Sequence, residues 1–359
     1  MLNFTLGPVS SCDDVLKIAS YQMPYFRTNE FSAVMLENEN LILEFLSAPM
    51  NSRCVFLTAS GTGAMEAVVM NVLNTHDKVI VINGGGYGFG QRFVDLCKLH
   101  KRNFSEIKLP FGHKLSEMQL IPYINKRYTA LLVNMCETSS GVLYDMPLIA
   151  RFCKENNILL IVDAISSFIA DEINMEKLNI ATVMIGSQKA LAVQPGIALV
   201  VLSPEAVKRV NRNPESSMYF SLNHALKLGE YGQTPFTPAV TTLLQINMRL
   251  KYIKNNGGIE AENRKIKKIA TEFREGIMNL PLEIFSQSKS NALTALKLKN
   301  SNAQDIIRIL KEEYNIWICS MDGEMREKGI RIGHLGNITT KDNQKLINAL
   351  YSLNERGLL

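Results

Sequence analysis

An aspartate and a lysine, each delivered by an apolar run, have the types and setting to do chemistry together. Ile158-Leu159-Leu160-Ile161-Val162-Asp163 carries five apolar residues straight into a carboxylate. Thr182-Val183-Met184-Ile185-Gly186-Ser187-Gln188-Lys189 repeats the pattern and ends in an amine. Unbroken runs of this kind predict strands buried on both faces of a parallel sheet, and open α/β sheets bind ligands at the carboxyl ends of such strands. A carboxylate there is costly unless a cation meets it. A structural lysine belongs on a polar surface, yet Met184-Ile185 precede Lys189 and Ala190-Leu191-Ala192-Val193 follow it. A desolvated lysine has a lowered pKa and attacks carbonyls. An acid and an amine in one crevice fit pyridoxal phosphate, whose aldehyde takes a lysine as a Schiff base and whose ring nitrogen wants an acidic partner.

Three further turns offer supporting groups. Ser60-Gly61-Thr62, within Ala59 to Gly63, lies between an apolar run and a helical pattern, so glycine, hydroxyls and free N–H groups could hold an anion; the same residues also make ordinary strand-to-helix turns. Glu66 stands where the third glycine of a dinucleotide fingerprint belongs, and no Walker-type Gly-Lys-Ser/Thr is present. The turn from Asn83 to Arg92 is richer still in glycine, and its aromatics could stack on a flat ring or pack in the core. Thr138, in Cys136-Glu137-Thr138-Ser139-Ser140-Gly141, could orient a cofactor or cap a turn.

The elements that must position these groups alternate. Strands are predicted at Val55 to Thr58, Val79 to Ile82, Tyr128 to Asn134, the Asp163 and Lys189 runs, and Ile197 to Leu202, the last ended by Ser203-Pro204. Helical patterns fall at 31–46, 62–73, 89–99 and 148–154. The fold class is therefore α/β, a mostly parallel sheet with helices on both faces. Beyond about residue 215 the texture changes. A helix from Ala239 to Lys254 precedes a pattern with strands at 292–298, 316–319 and 329–334 and helices at 303–314 and at the end, a smaller C-terminal α+β unit. The division reads 1–20 as an extended N-terminal arm, 21–240 as the large domain and 241–359 as the small one.

Composition sets the bounds. The 359 residues are 46% hydrophobic and 20% charged, with net charge +5, which marks a globular chain. The densest basic stretch, Arg264 to Lys268, reads as the solvated face of a helix rather than a nucleic-acid or membrane surface, because Ile259, Ile266, Ile269, Phe273 and Ile277 keep helical spacing opposite it. No run approaches a membrane span, no secretory segment opens the chain, and the five histidines show no metal-ligand spacing. The six scattered cysteines imply reduced thiols and a cytoplasmic setting.

Taken together, these segments resemble the class V pyridoxal-phosphate aminotransferases of fold type I, in the branch of alanine:glyoxylate, serine:pyruvate and 2-aminoethylphosphonate:pyruvate transaminases. The likeness runs nearly end to end, through Leu6-Gly7-Pro8, Ser60-Gly61-Thr62, Glu137 to Gly141, Val162 to Ser167, Ser187-Gln188-Lys189, Phe236-Thr237-Pro238 and Arg331-Ile332-Gly333. The resemblance implies that Lys189 carries the cofactor and moves the substrate proton, while Asp163 keeps the pyridine nitrogen protonated. It further implies that Ser60, Gly61 and Thr62 take the phosphate, and that Thr138 and Gln188 bond the ring. Thr237 would come from the partner of a homodimer with shared active sites. Arg331, otherwise a strand-edge surface residue, would clamp the substrate carboxylate, with Gly7 beside the substrate. Arg27 could meet a second anionic group or pair with Glu30. The glycine-rich turn is longer than in the family; anchoring it on Gly90-Gln91-Arg92 makes Phe89 the ring-stacking residue, and anchoring it on Asn83-Gly84 favours Tyr87. Phe89 is the choice. No histidine lies in this turn, which argues against a desulfurase. The implied reaction passes an amino group from a small amino acid or aminophosphonate to a small 2-oxo acid. The competing readings are the phosphonate-specific transaminase and, from another class, a non-catalytic phosphoryl-ligand-binding protein that would need neither Lys189 nor Asp163.

Overall fold

Seven strands form the central sheet, in the order Arg53–Leu57, Ala198–Leu202, Ile180–Gly186, Leu159–Asp163, Ala130–Asn134, Lys78–Asn83, Asn103–Lys108. The computed structural model describes residues 1–85 and 88–359; Gly86 and Tyr87, the latter the alternative ring-stacking aromatic, lie outside the described residues. Only Ala198–Leu202 runs antiparallel to its neighbours, so the other six strands end on one edge. Register brings Asn134 opposite Asp163 and Asp163 opposite Met184, while Ala198 pairs with both Gly186 and Leu57. One level of the sheet thus carries the ends of five strands.

The runs are continuously apolar because both faces are covered. Ile80, Leu131, Leu160 and Val183 join one core, and Val79, Leu132, Ile161 and Met184 join the other. A polar substitution on either face would strand a group without water. The second unit has a four-stranded antiparallel sheet, Leu282–Ile284, Leu293–Leu298, Gly329–Gly333 and Cys319–Ser320. Its core draws on Ile269 and Phe273 of helix Gly258–Gly276, Ile306 and Leu310 of helix Ala303–Tyr314, and Leu346, Ile347, Leu350 and Leu353 of helix Thr340–Glu355. That last helix opens on a capping box between Thr339 and Asp342.

Several local expectations change. Ser203-Pro204 does more than end a strand: Ser203 caps the helix Pro204–Arg212 by accepting from Ala206 N–H, with proline in the first turn where its missing N–H costs nothing. The single strand expected over 316–319 is two. Ile316–Trp317 pairs with Leu2–Asn3 of the arm, whereas Cys319–Ser320 pairs with the Arg331 strand, and the buried Ile318 turns inward between them. The edge strand Asn103–Lys108 and the helix Asp13–Ile18 carry too little apolar pattern to be read from sequence.

Candidate active site

Asp163 closes its strand 4% exposed. Its Oδ1 accepts from Ile165 N–H at 2.8 Å, and among the described residues no donor meets Oδ2. Burial pushes its carboxyl up to about 7; the Ile165 N–H pulls the other way, the Glu137 charge adds to the rise, and Lys189 and Arg92 oppose it.

Lys189 lies just past the neighbouring strand, 8% exposed, in a tight turn held by Ala192 N–H to Lys189 O (2.8 Å) and Ser187 Oγ to Gln194 O (2.8 Å). Its Nζ donates to Leu6 O at 2.6 Å. The N-terminal arm therefore lies across the amine. A Cβ at Gly7, whose φ is +127°, would stand 2.8 Å from Lys189 Cδ, so only glycine fits there. Desolvation lowers the lysine pKa; Asp163 raises it and Arg331 lowers it further. The two groups singled out first are thus near enough to feel each other's charge.

Ser60 precedes the helix Gly61–Asn71 without capping it, which leaves its hydroxyl and the first N–H groups for another acceptor. A Cβ at Gly61 would stand 2.4 Å from Ile165 Cδ1, so this turn packs directly on the residues after Asp163. Thr62 Oγ1 accepts from Arg92 Nη1 at 2.8 Å, and the Arg92 guanidinium lies 4.5 Å from the Phe89 ring centroid. Phe89, half-buried, opens the helix Phe89–Leu99. Thr138 Oγ1 shares a 2.7 Å hydrogen bond with Ser166 Oγ, and Gln188 O accepts from Val9 N–H at 3.2 Å.

Arg331 is not a strand-edge residue. Its strand lies between two others, and its side chain is 12% exposed. Nε donates to Ser320 O (2.8 Å) and Nη1 to Thr138 O (3.1 Å), with Asp322 Oδ2 3.0 Å from Nη1. It thereby ties the second sheet to the loop after strand Ala130–Asn134. Thr237 is exposed, in a segment fastened beside the end of the first strand: Ala239 N–H donates to Thr58 Oγ1, and Phe236 stacks on Tyr219, whose hydroxyl donates to Thr58 O. Arg27 spends its guanidinium on this segment, donating to Gln233 Oε1 and to the carbonyls of Thr234 and Pro235. The alternative pairing with Glu30 does not appear among the described contacts.

Glu137 has a role that sequence reading missed. It is fully buried, and its carboxylate accepts from Phe89 N–H (3.1 Å), Gly90 N–H (3.2 Å), Asn134 Nδ2 (2.9 Å) and Ser139 Oγ (2.9 Å). Side chains at Gly88 or Gly84 would strike it, at 2.4 Å and 3.0 Å. These glycines admit a carboxylate that fixes the start of the Phe89 helix. A lone glutamate after an apolar strand, facing a glycine-rich turn, was the available signal.

The residues present fit a phosphorylated aromatic aldehyde. Among the described residues Asp163 has an oxygen without a donor, Lys189 is pushed toward its neutral form, and the side chain of Ser60 leaves a helix start uncapped. The family description for class V aminotransferases matches residues 20–342. The chain belongs to the class V aminotransferases. An uncharacterized aminotransferase of Helicobacter pylori is 29% identical over all of this chain and 95% of its own length. The L-aspartate–glyoxylate aminotransferase of Paracoccus denitrificans is 25% identical, covering 94% and 86%. A relative in Anabaena cylindrica described as a soluble hydrogenase 42 kDa subunit is 31% identical, covering 88% and 83%. Among solved structures, a subgroup IV aspartate aminotransferase from Thermus thermophilus superposes with a TM-score of 0.92 at 23% identity over both full chains, which shows the shared fold. Class V membership implies pyridoxal phosphate as the aminotransferase's cofactor.

Proposed function

We propose that this class V aminotransferase moves an amino group from a small amino donor, such as alanine or serine, to a small 2-oxo acid, pyruvate or glyoxylate. The observation that carries the reading is a buried amine, Lys189, whose Nζ lies against the Leu6 carbonyl and whose charged form burial disfavours, with Asp163 opposing that shift and Arg331 adding to it. The glyoxylate named for the Paracoccus relative supports an acceptor of this size. Pyridoxal phosphate, when bound, supplies an aldehyde for the amino group and a ring that draws electrons from the substrate Cα. Lys189 Nζ holds the cofactor and then shuttles the Cα proton, a task suited to an amine with a lowered pKa. Asp163 Oδ2 keeps the ring nitrogen protonated. Ser60, Gly61 and Thr62 receive the phosphate, joined by Thr237 from the second subunit of a homodimer; Phe89 backs the ring, and Thr138 and Gln188 bond its edge. Arg331 orients the substrate carboxylate, with Gly7 leaving room above the lysine. The six unpaired cysteines support a reducing compartment, the cytoplasm.

Mixing the cofactor-loaded enzyme with single donors tests the reading. Alanine, serine, aspartate or 2-aminoethylphosphonate should each be tried, and the right one will bleach the visible cofactor band. A response to the phosphonate alone selects the phosphonate-specific enzyme. No visible band after adding pyridoxal phosphate would favour a non-catalytic phosphoryl-ligand binder. Lys189→Ala should keep its thermal midpoint and lose turnover by about a thousandfold or more, the loss of a nucleophile and a proton carrier together.

A further inference from the structure

Asp322 sits in the turn between Cys319–Ser320 and Gly329–Gly333, at the start of the short 3-10 turn Gly323–Met325. An aspartate in that position ordinarily folds back on the N–H groups two or three residues ahead. Here its side chain makes no such bond and instead reaches Arg331, with Oδ2 3.0 Å from Nη1.

The Arg331 fork is crowded. Nε donates to Ser320 O and Nη1 to Thr138 O, and the Asp322 carboxylate lies against Nη1 as an ion pair. A carboxylate held by two parallel bonds needs two neighbouring N–H groups of the fork. Both such pairs include Nε or Nη1, so the incoming group must compete with one of these three neighbours. Ser320 O belongs to the sheet, and Thr138 lies in a buried loop. Asp322 is a rotatable side chain, 42% exposed, with the same charge and shape as the incoming group. It is the acceptor that yields.

We propose that Asp322 is a built-in competitor for Arg331: its carboxylate occupies the clamp of the resting enzyme and is exchanged for the substrate's α-carboxylate. Asp322 keeps a largely buried guanidinium paired when no substrate is bound and weakens the grip on any carboxylate that enters. The inference rests on the reading of Arg331 as the substrate clamp.

Propionate, an unreactive monocarboxylate, serves as the probe, titrated into the cofactor-loaded enzyme by calorimetry. Asp322→Asn and Asp322→Ala should each bind it about three- to fivefold more tightly, the weight of a partly exposed ion pair. Unchanged or weaker binding in both variants, with thermal midpoints kept, overturns the competitor. Arg331→Met should weaken propionate binding about tenfold or more, and adding Asp322→Asn to it should change nothing further. If Arg331→Met binds propionate normally, the clamp reading falls and the competitor with it. If only the Asp322 variants fail to respond, the clamp stands and the competitor alone is lost.

Discussion

Asp163 makes the cofactor-free enzyme sensitive to pH. Its carboxyl titrates near 7 in the folded chain, against about 4 when unfolded. Between those values the folded protein holds a proton that the unfolded chain has released, so stability falls as pH rises through the window. Three units correspond to about 4 kcal/mol as an upper bound, partly offset by the Lys189 charge. Asp163→Asn removes the dependence. Its cofactor-free melting temperature should drop less between pH 5 and pH 8 than that of the parent, and an identical drop would count against a buried, charge-starved carboxylate. The same variant should release pyridoxal phosphate more readily on dialysis, since the protonated ring would lose its anion.

The helix Phe89–Leu99 starts where it does because Glu137 anchors its first N–H groups. Five hydrogen bonds satisfy a carboxylate that would otherwise be prohibitive to bury. Gly88→Ala puts a Cβ 2.4 Å from Glu137 Oε1 and has to displace one or the other. The variant should lose roughly 2 kcal/mol or more of stability, the usual scale for overpacking a core, and should weaken cofactor binding in a spectrophotometric titration through the shifted Phe89. A neutral outcome on both readouts would mean that the turn is slack and Glu137 a bystander.

The N-terminal arm joins parts of the molecule that are far apart in sequence. Leu2–Asn3 pair with Ile316–Trp317, Phe4 O accepts from Gly333 N–H, Leu6 O meets Lys189, and Val9 N–H reaches Gln188. A chain started at Ser10 should therefore retain the central sheet by circular dichroism, yet unfold earlier and hold the cofactor less tightly. Retention of both stability and cofactor affinity would show the arm to be dispensable.

Order along the chain and residue type were enough to find the buried strands, because an apolar run covered on both faces has few other places to go, and an acid or amine at its end is conspicuous. Asp163, Lys189 and the helix start at Gly61 were legible for that reason. Glu137, Arg92 and the Leu6 carbonyl were not. Each matters through a partner that the fold brings from a distant segment, and no local pattern of residues records which polar group a loop will meet. Arg331 shows the boundary between the two. Its motif marked it out, but only the packing of one sheet against the other surrounds its guanidinium with Thr138, Ser320 and Asp322.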